Sequence, residues 1–202
     1  MKFKTLVTIS ASILLLSCGK DIEIESPIAG DGEIKCFING ELKSFTSDQG
    51  NGLNHYDDNY PGSPNGKLVQ MSRYTSKLDV FTIDLWKDFD QIKVGDVYTN
   101  ANYNFDTDSN PDFLISYVQI NNFKTYFSQD SDVKTNTTVK ITGKTPTRLA
   151  GIFEGYMYGF GIENFNDFNF DDENDGFQMD TILISAGSFN IPIVRGSIVP
   201  TE

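Results

Sequence analysis

The stretch "EIKCFINGELKSFT", residues 33–46, places Asn39-Gly40 between two alternating runs. Asn-Gly in that setting marks a β-hairpin, because both central residues of the tight turn take positive φ and these two residues tolerate it best. Period two then continues along the chain, in "KLVQMSRY" (67–74), "SKLDVFTIDLW" (76–86) and "FLISYVQI" (113–120). It resumes in "TTVKITG" (137–143), "RLAGIFEGYMYG" (148–159) and "DTILISAGSFNIPI" (180–193). No amphipathic stretch of helical length interrupts these runs. The pattern predicts an all-β domain over 33–202, of about eight to ten short antiparallel strands forming a sandwich or a curled barrel. Pro192 marks an edge or a strand terminus, where its missing N–H leaves no ladder bond unmade. Residues 47–66 read as a long polar loop without periodicity.

The segment before residue 33 has a different character. Lys2 and Lys4 form a basic start, and Leu6 to Leu16 an apolar run of roughly eleven residues, too short for the ~20 of a membrane-spanning helix. It closes on Leu15-Leu16-Ser17-Cys18, which resembles a bacterial lipobox. The expectation is a signal peptide over 1–17, cleaved before Cys18, with Cys18 carrying acyl chains such as palmitate; each buried CH₂ contributes about 0.8 kcal/mol to anchoring. Residues 18–32 contain Asp21, Glu23, Glu25, Pro27, Gly30 and Gly32 and read as an acidic, flexible tether. Its early acids resemble the signals that send Bacteroidota-type lipoproteins to the exterior face of the outer membrane.

The formal charge is −12, and about −14 without Lys2 and Lys4. Such a surface repels phosphates, which excludes nucleic acid as a partner and leaves the acyl chains to do the membrane holding. With Cys18 lipidated, Cys36 has no intramolecular disulfide partner, and in its apolar run it reads as a small buried hydrophobe.

The lipobox, the "FING" hairpin, "TNANY" (99–103), "VKITG" (139–143), "RLAGIFEGYMYG" and "ILISAGSFNIPI" together resemble a family of all-β Bacteroidota-type lipoproteins of unknown function. The resemblance implies an extracytoplasmic all-β domain. It supplies no site residues, because its motifs are structural glycines and aromatics.

Catalytic chemistry has few candidates. His55 is the single histidine, so a tetrahedral zinc set of His and Cys is excluded. No G-x-S-x-G elbow, H-E-x-x-H pair or phosphate-cradling glycine loop occurs. A hydrolase would need His55 with Asp57 or Asp58, or a pair among the many carboxylates. Calcium is a better-posed cofactor. Asp106, Asp108, Asn110 and Asp112 alternate, as do Asp171, Glu173 and Asp175 before Gly176, and a hard cation takes oxygens from every second residue of a tight loop. Each run is half a motif: Pro111 replaces the turn glycine in the first, and Tyr117 and Ile182 stand where a closing Glu belongs.

Aromatic recognition is the third possibility. Phe153 and Met157 fall on the core face of "GIFEGYMYG", whereas Tyr156 and Tyr158 share a face with Glu154 and, with Trp86, are the candidate ligand-binding residues. Phe165, Phe168 and Phe170 read as anchors of a strand connection. The resulting expectation is an outer-membrane, exterior-facing lipoprotein acting as a non-catalytic binding or adaptor module for a glycan or an envelope protein. A structural component of an envelope complex is the alternative, with a hydrolase behind it.

Replacing Cys18 by Ala should abolish incorporation of labelled palmitate and release the protein from the membrane fraction. Continued partition into membranes would contradict the lipobox reading.

Overall fold

The computed structural model describes residues 28–48, 54–60, 65–77, 79–100, 111–122, 124–129, 136–161 and 178–196. Twelve strands form one mixed, mostly antiparallel sheet that curls on itself without closing into a barrel. In chain order they are β1 (Glu33–Ile38), β2 (Glu41–Phe45), β3 (Asn54–Asp57), β4 (Leu68–Tyr74), β5 (Val80–Leu85) and β6 (Val97–Thr99). They continue with β7 (Phe113–Gln119), β8 (Lys124–Phe127), β9 (Thr138–Thr145), β10 (Arg148–Gly161), β11 (Gln178–Pro192) and β12 (Val194–Arg195). Two single-turn 3-10 helices at Phe89–Gln91 and Ile120–Asn122 are the helical elements among the described residues. No helix there is long and apolar enough to cross a membrane.

The hairpin forms at the expected turn, with Asn39 and Gly40 at φ of 49° and 83°. Beyond it the sheet runs β12-β3-β4-β5-β7-β8-β10-β11-β1-β2. The longest ladder joins β10 to β11, from Arg148 opposite Pro192 to Gly161 opposite Gln178. A strand of this length cannot satisfy its second edge with one short neighbour. It takes β9 along Arg148–Glu154 and β8 along Tyr158–Gly161, and β9 in turn carries β6. The sheet therefore forks.

At the fork a buried side-chain network replaces the interrupted ladder, as backbone groups removed from water require. Thr137 Oγ1 donates to the Tyr156 carbonyl (2.8 Å), and Thr137 N donates to Asn100 Oδ1 (2.6 Å). Asn100 Nδ2 reaches the Ser128 carbonyl, and Ser128 Oγ accepts from Ile115 N (2.8 Å). Gly155, at φ +139°, lets the chains approach here, because a Cβ would collide with the Thr137 backbone.

Curling brings strands far apart in the sheet order into contact across one core. Phe45 on β2 meets Phe81 on β5 at 5.2 Å between ring centroids, and Phe81 meets Phe153 on β10 at 5.3 Å. Tyr117 closes the group edge-on to Phe45 at 5.9 Å. A bridge between Ser47 and Tyr74 ties the end of β2 to the end of β4. Ile34, Cys36, Ile83, Ile115, Met157 and Ile184 fill the space around the rings. Each such side chain contributes roughly 1.5–3 kcal/mol by leaving water. Arg73, buried on the same face of β4, donates from Nε to the Gly32 carbonyl (2.6 Å). Together with Gly32 N to Asn190 O (2.9 Å) and the Asp31–Arg148 ion pair (2.6 Å), it fixes the entrance to β1. The end of the stretch read as tether is thus docked.

The all-β, curled-sheet reading holds; the described residues form twelve strands where about eight to ten were expected, and β10 and β11, of 14 and 15 residues, are long. One expectation needs correction. The polar loop over 47–66 contains β3, which pairs antiparallel with β4 and parallel with β12. Its four residues, Asn-His-Tyr-Asp, have no apolar alternation, so their extended state comes from the partner edges rather than from propensity.

Truncating Phe81 to Ala should cost about 3–5 kcal/mol, because the cavity would lie where three distant strands meet. The urea unfolding midpoint reads this, with Ile152→Ala on the outer face as a control expected within about 0.5 kcal/mol of wild type.

Candidate functional site

Several large apolar side chains stay in water around the outer face of β10, as Ile28, Val94, Ile120 and Val194 do elsewhere. Tyr156 is 46% exposed, and Leu183, opposite it on β11, 40%. Ile152 on β10, Leu42 on β2 and Val97 on β6 are also exposed, with half-buried Phe37 opposite Leu42. Alternation explains their position, because Phe153 and Met157 turn inward and leave 152, 154, 156 and 158 outward. These outward side chains, interleaved with Lys140 and Glu154, make a partly apolar candidate surface over several strands.

A groove of about 160 Å³ opens on this face, bordered by Val97, Lys140, Ile152, Glu154, Ala186 and Gly187. It exists because the β10–β11 ladder slips between Phe153 and Gly155, forming a bulge. At the bulge Ala186 takes φ 48°, and Gly187 carries no side chain where a Cβ would strike the Phe153 ring. Bulges re-aim side chains, and strained backbone of this kind collects at functional positions. Lys140 and Glu154 add one charge of each sign beside the apolar rim, and neither forms an ion pair among the described residues.

The sequence candidates separate on this frame. Tyr156 and Tyr158 lie together on the outer face of β10, Tyr158 half-buried opposite Thr181 and Phe127. Trp86 lies on the same side of the sheet but three strands across and four residues along, roughly 20 Å away by strand geometry. Its backbone N–H donates to Asp112 O (3.0 Å), and its carbonyl accepts from Asn65 Nδ2 (2.7 Å). Register thus sets Trp86 three strands apart from the two tyrosines on that side of the sheet. Of the calcium candidates, Asp112 is described, and its carboxylate is taken by Lys87. Asp106, Asp108, Asn110, Asp171, Glu173 and Asp175 lie outside the described residues, as does Cys18. Among the described residues no group of three or more His, Cys, Asp or Glu is placed to hold a metal ion.

His55 is not in a solvated loop but buried on β3, and register sets it in a polar row with Gln70 on β4 and Asp84 on β5. Gln70 Nε2 donates to Asp84 Oδ1 (3.0 Å), and Ser72 and Thr82 share a hydroxyl contact of 2.7 Å in the next row. Burial pushes the Asp84 carboxyl up to about 6, with the Gln70 hydrogen bond opposing. Asp57 shares a face with His55 two residues along the strand, while Asp58 pairs with Arg195 (2.6 Å) and Lys67 (3.8 Å). Cys36 is fully buried, and desolvation pushes its thiol up to about 12, far from a nucleophile at neutral pH.

Val97, Leu183, Ala186 and Gly187 were not singled out in the sequence. The bulge that aligns them depends on partner strands, although the "SAG" at 185–187 inside an otherwise β-branched run was a local sign of one. Comparison with protein-family models, with curated proteins and with solved structures found no match for this chain.

Asp84 yields a signed pH dependence. Between its ordinary value of 3.8 and about 6, the folded state holds a proton that the unfolded state has lost, so this group's contribution to stability falls as pH rises through that window. Asp84→Asn, which keeps an acceptor for Gln70, should be more stable than wild type above pH ~6, with the gain shrinking toward pH ~4. Urea midpoints of both proteins at the two ends of the window measure this; a pH-independent difference would contradict the assignment.

Proposed function

We propose that the chain is an outer-membrane lipoprotein, held through acylated Cys18 with its β domain facing the exterior, and that it acts as a non-catalytic binding or adaptor module. The observation that carries the reading is the exposed strip of Tyr156, Leu183, Ile152, Val97 and Leu42 around the β10 groove. The ligand class is a glycan or another envelope protein, since both present apolar faces edged by polar groups to such a surface. The lipobox and the acidic stretch behind it support the address, and the resemblance to Bacteroidota-type lipoproteins agrees with it. An acidic surface would keep the domain clear of nucleic acid and of anionic headgroups.

Tyr156→Ala should weaken capture of the native ligand from solubilised envelope by about 1–2 kcal/mol while leaving the unfolding midpoint within about 0.5 kcal/mol of wild type. Capture is read by quantitative pull-down with the full-length protein. Unchanged capture would remove the groove from the binding surface.

A further inference from the structure

A second cavity, of about 290 Å³, lies where the chain passes from β5 to β6. Lys87, Asp88, Gln91, Asp96 and Tyr98 line it, and so does Val97, which also borders the β10 groove. Local hydrogen bonds hold its walls. Asp88 Oδ1 accepts from Asp90 N (2.9 Å) and caps the 3-10 turn. Asp96 Oδ2 accepts from Lys93 N (2.8 Å) and from the Tyr98 hydroxyl (3.1 Å). Lys87 Nζ, paired with Asp112, sits 5.6 Å from the centre of the Tyr98 ring.

These bonds leave a defined set of valences. The second carboxylate oxygen of Asp88 and of Asp96 and both ends of the Gln91 amide enter no hydrogen bond among the described residues. Lys87 has N–H donors beyond the one its partner takes. The cavity lining offers both acceptors and donors, which suits hydroxyl groups, since each hydroxyl both donates and accepts. Two carboxylates and a formal charge of −12 disfavour an anionic ligand, and the cavity lacks three metal-ligating side chains. Val97 lines both the cavity and the groove on β6, which pairs only with β9 among the described strands, so a ligand longer than one ring would pass over the free edge of β6 to reach both.

We propose that this cavity is a saccharide subsite, taking the hydroxyls of a neutral oligosaccharide whose next ring crosses Val97 toward Ile152. The proposal rests on the reading of the chain as a binding module and names its ligand class.

The test uses the full, acylated chain in detergent micelles on an array of neutral oligosaccharides printed beside their sulfated counterparts. Neutral members should bind and sulfated ones should not, and Gln91→Ala and Asp88→Asn should each weaken binding roughly tenfold. Asn is as good a cap as Asp, and the Gln91 side chain makes no hydrogen bond among the described residues, so the melting temperatures should not move. Neutral binding lost with Tyr156→Ala but untouched by Gln91→Ala and Asp88→Asn would overturn the subsite and leave the binding module standing. Binding confined to sulfated members, or no saccharide binding at all, would overturn the proposal, and capture of envelope protein would then decide the broader reading separately.

Discussion

A strand as long as β10 must find partners for two edges, and the fold follows from how it does so. One edge is met by β11 along the whole length. The other is divided between β9 and β8, and the buried Asn100–Thr137–Ser128 network fills the gap between them. Division of one edge forces the two branches of the sheet apart, and divergence lets the sheet curl. Curling in turn brings Phe45, Phe81 and Phe153 together from strands that are distant in the sheet order. The aromatic centre is therefore a consequence of backbone hydrogen bonding at the fork. It then stabilises the curl that produced it.

The same ladder produces the groove. A fully regular β10–β11 pair would present an even outer face, whereas the slip at Phe153–Gly155 opens a depression between Ile152 and Ala186. Inward positions such as Phe153 complete the core, and outward positions such as Tyr156 stay in water. One strand thus carries both the centre of the fold and the candidate surface. Changes at inward positions act on stability and changes at outward positions on contact, which makes the two separable by substitution.

Strong alternation made much of this legible. The Asn39-Gly40 hairpin, the runs that became β4, β5, β7, β9, β10 and β11, the inward Phe153 and Met157 and the buried Cys36 all follow from local pattern. The strands that did not stand out, β3, β6, β8 and β12, are two to four residues long and owe their conformation to a neighbour's edge. His55 was misplaced for that reason: a polar tetrapeptide reads as loop until β4 and β12 are seen on either side of it. Tyr156 was legible as outward, but its companions Leu183 and Val97 come from other strands and meet it only through register.

The clamped entrance to β1 bears on how the domain would carry force. Gly32 is held by Arg73 and Asn190, and β1 is bonded along both sides, to β11 and to β2. If the chain is tethered through its N-terminus, tension enters along the axis of β1, perpendicular to the hydrogen bonds on both flanks. Such loading shears whole rows together instead of unzipping them singly. A ligand seated on β10 and β11 would pull on β1 through adjacent strands, leaving the β3–β7 branch outside the line of tension. On this geometry, an N-terminal tether and a ligand in the groove would be the two ends of a short line of tension within one sheet.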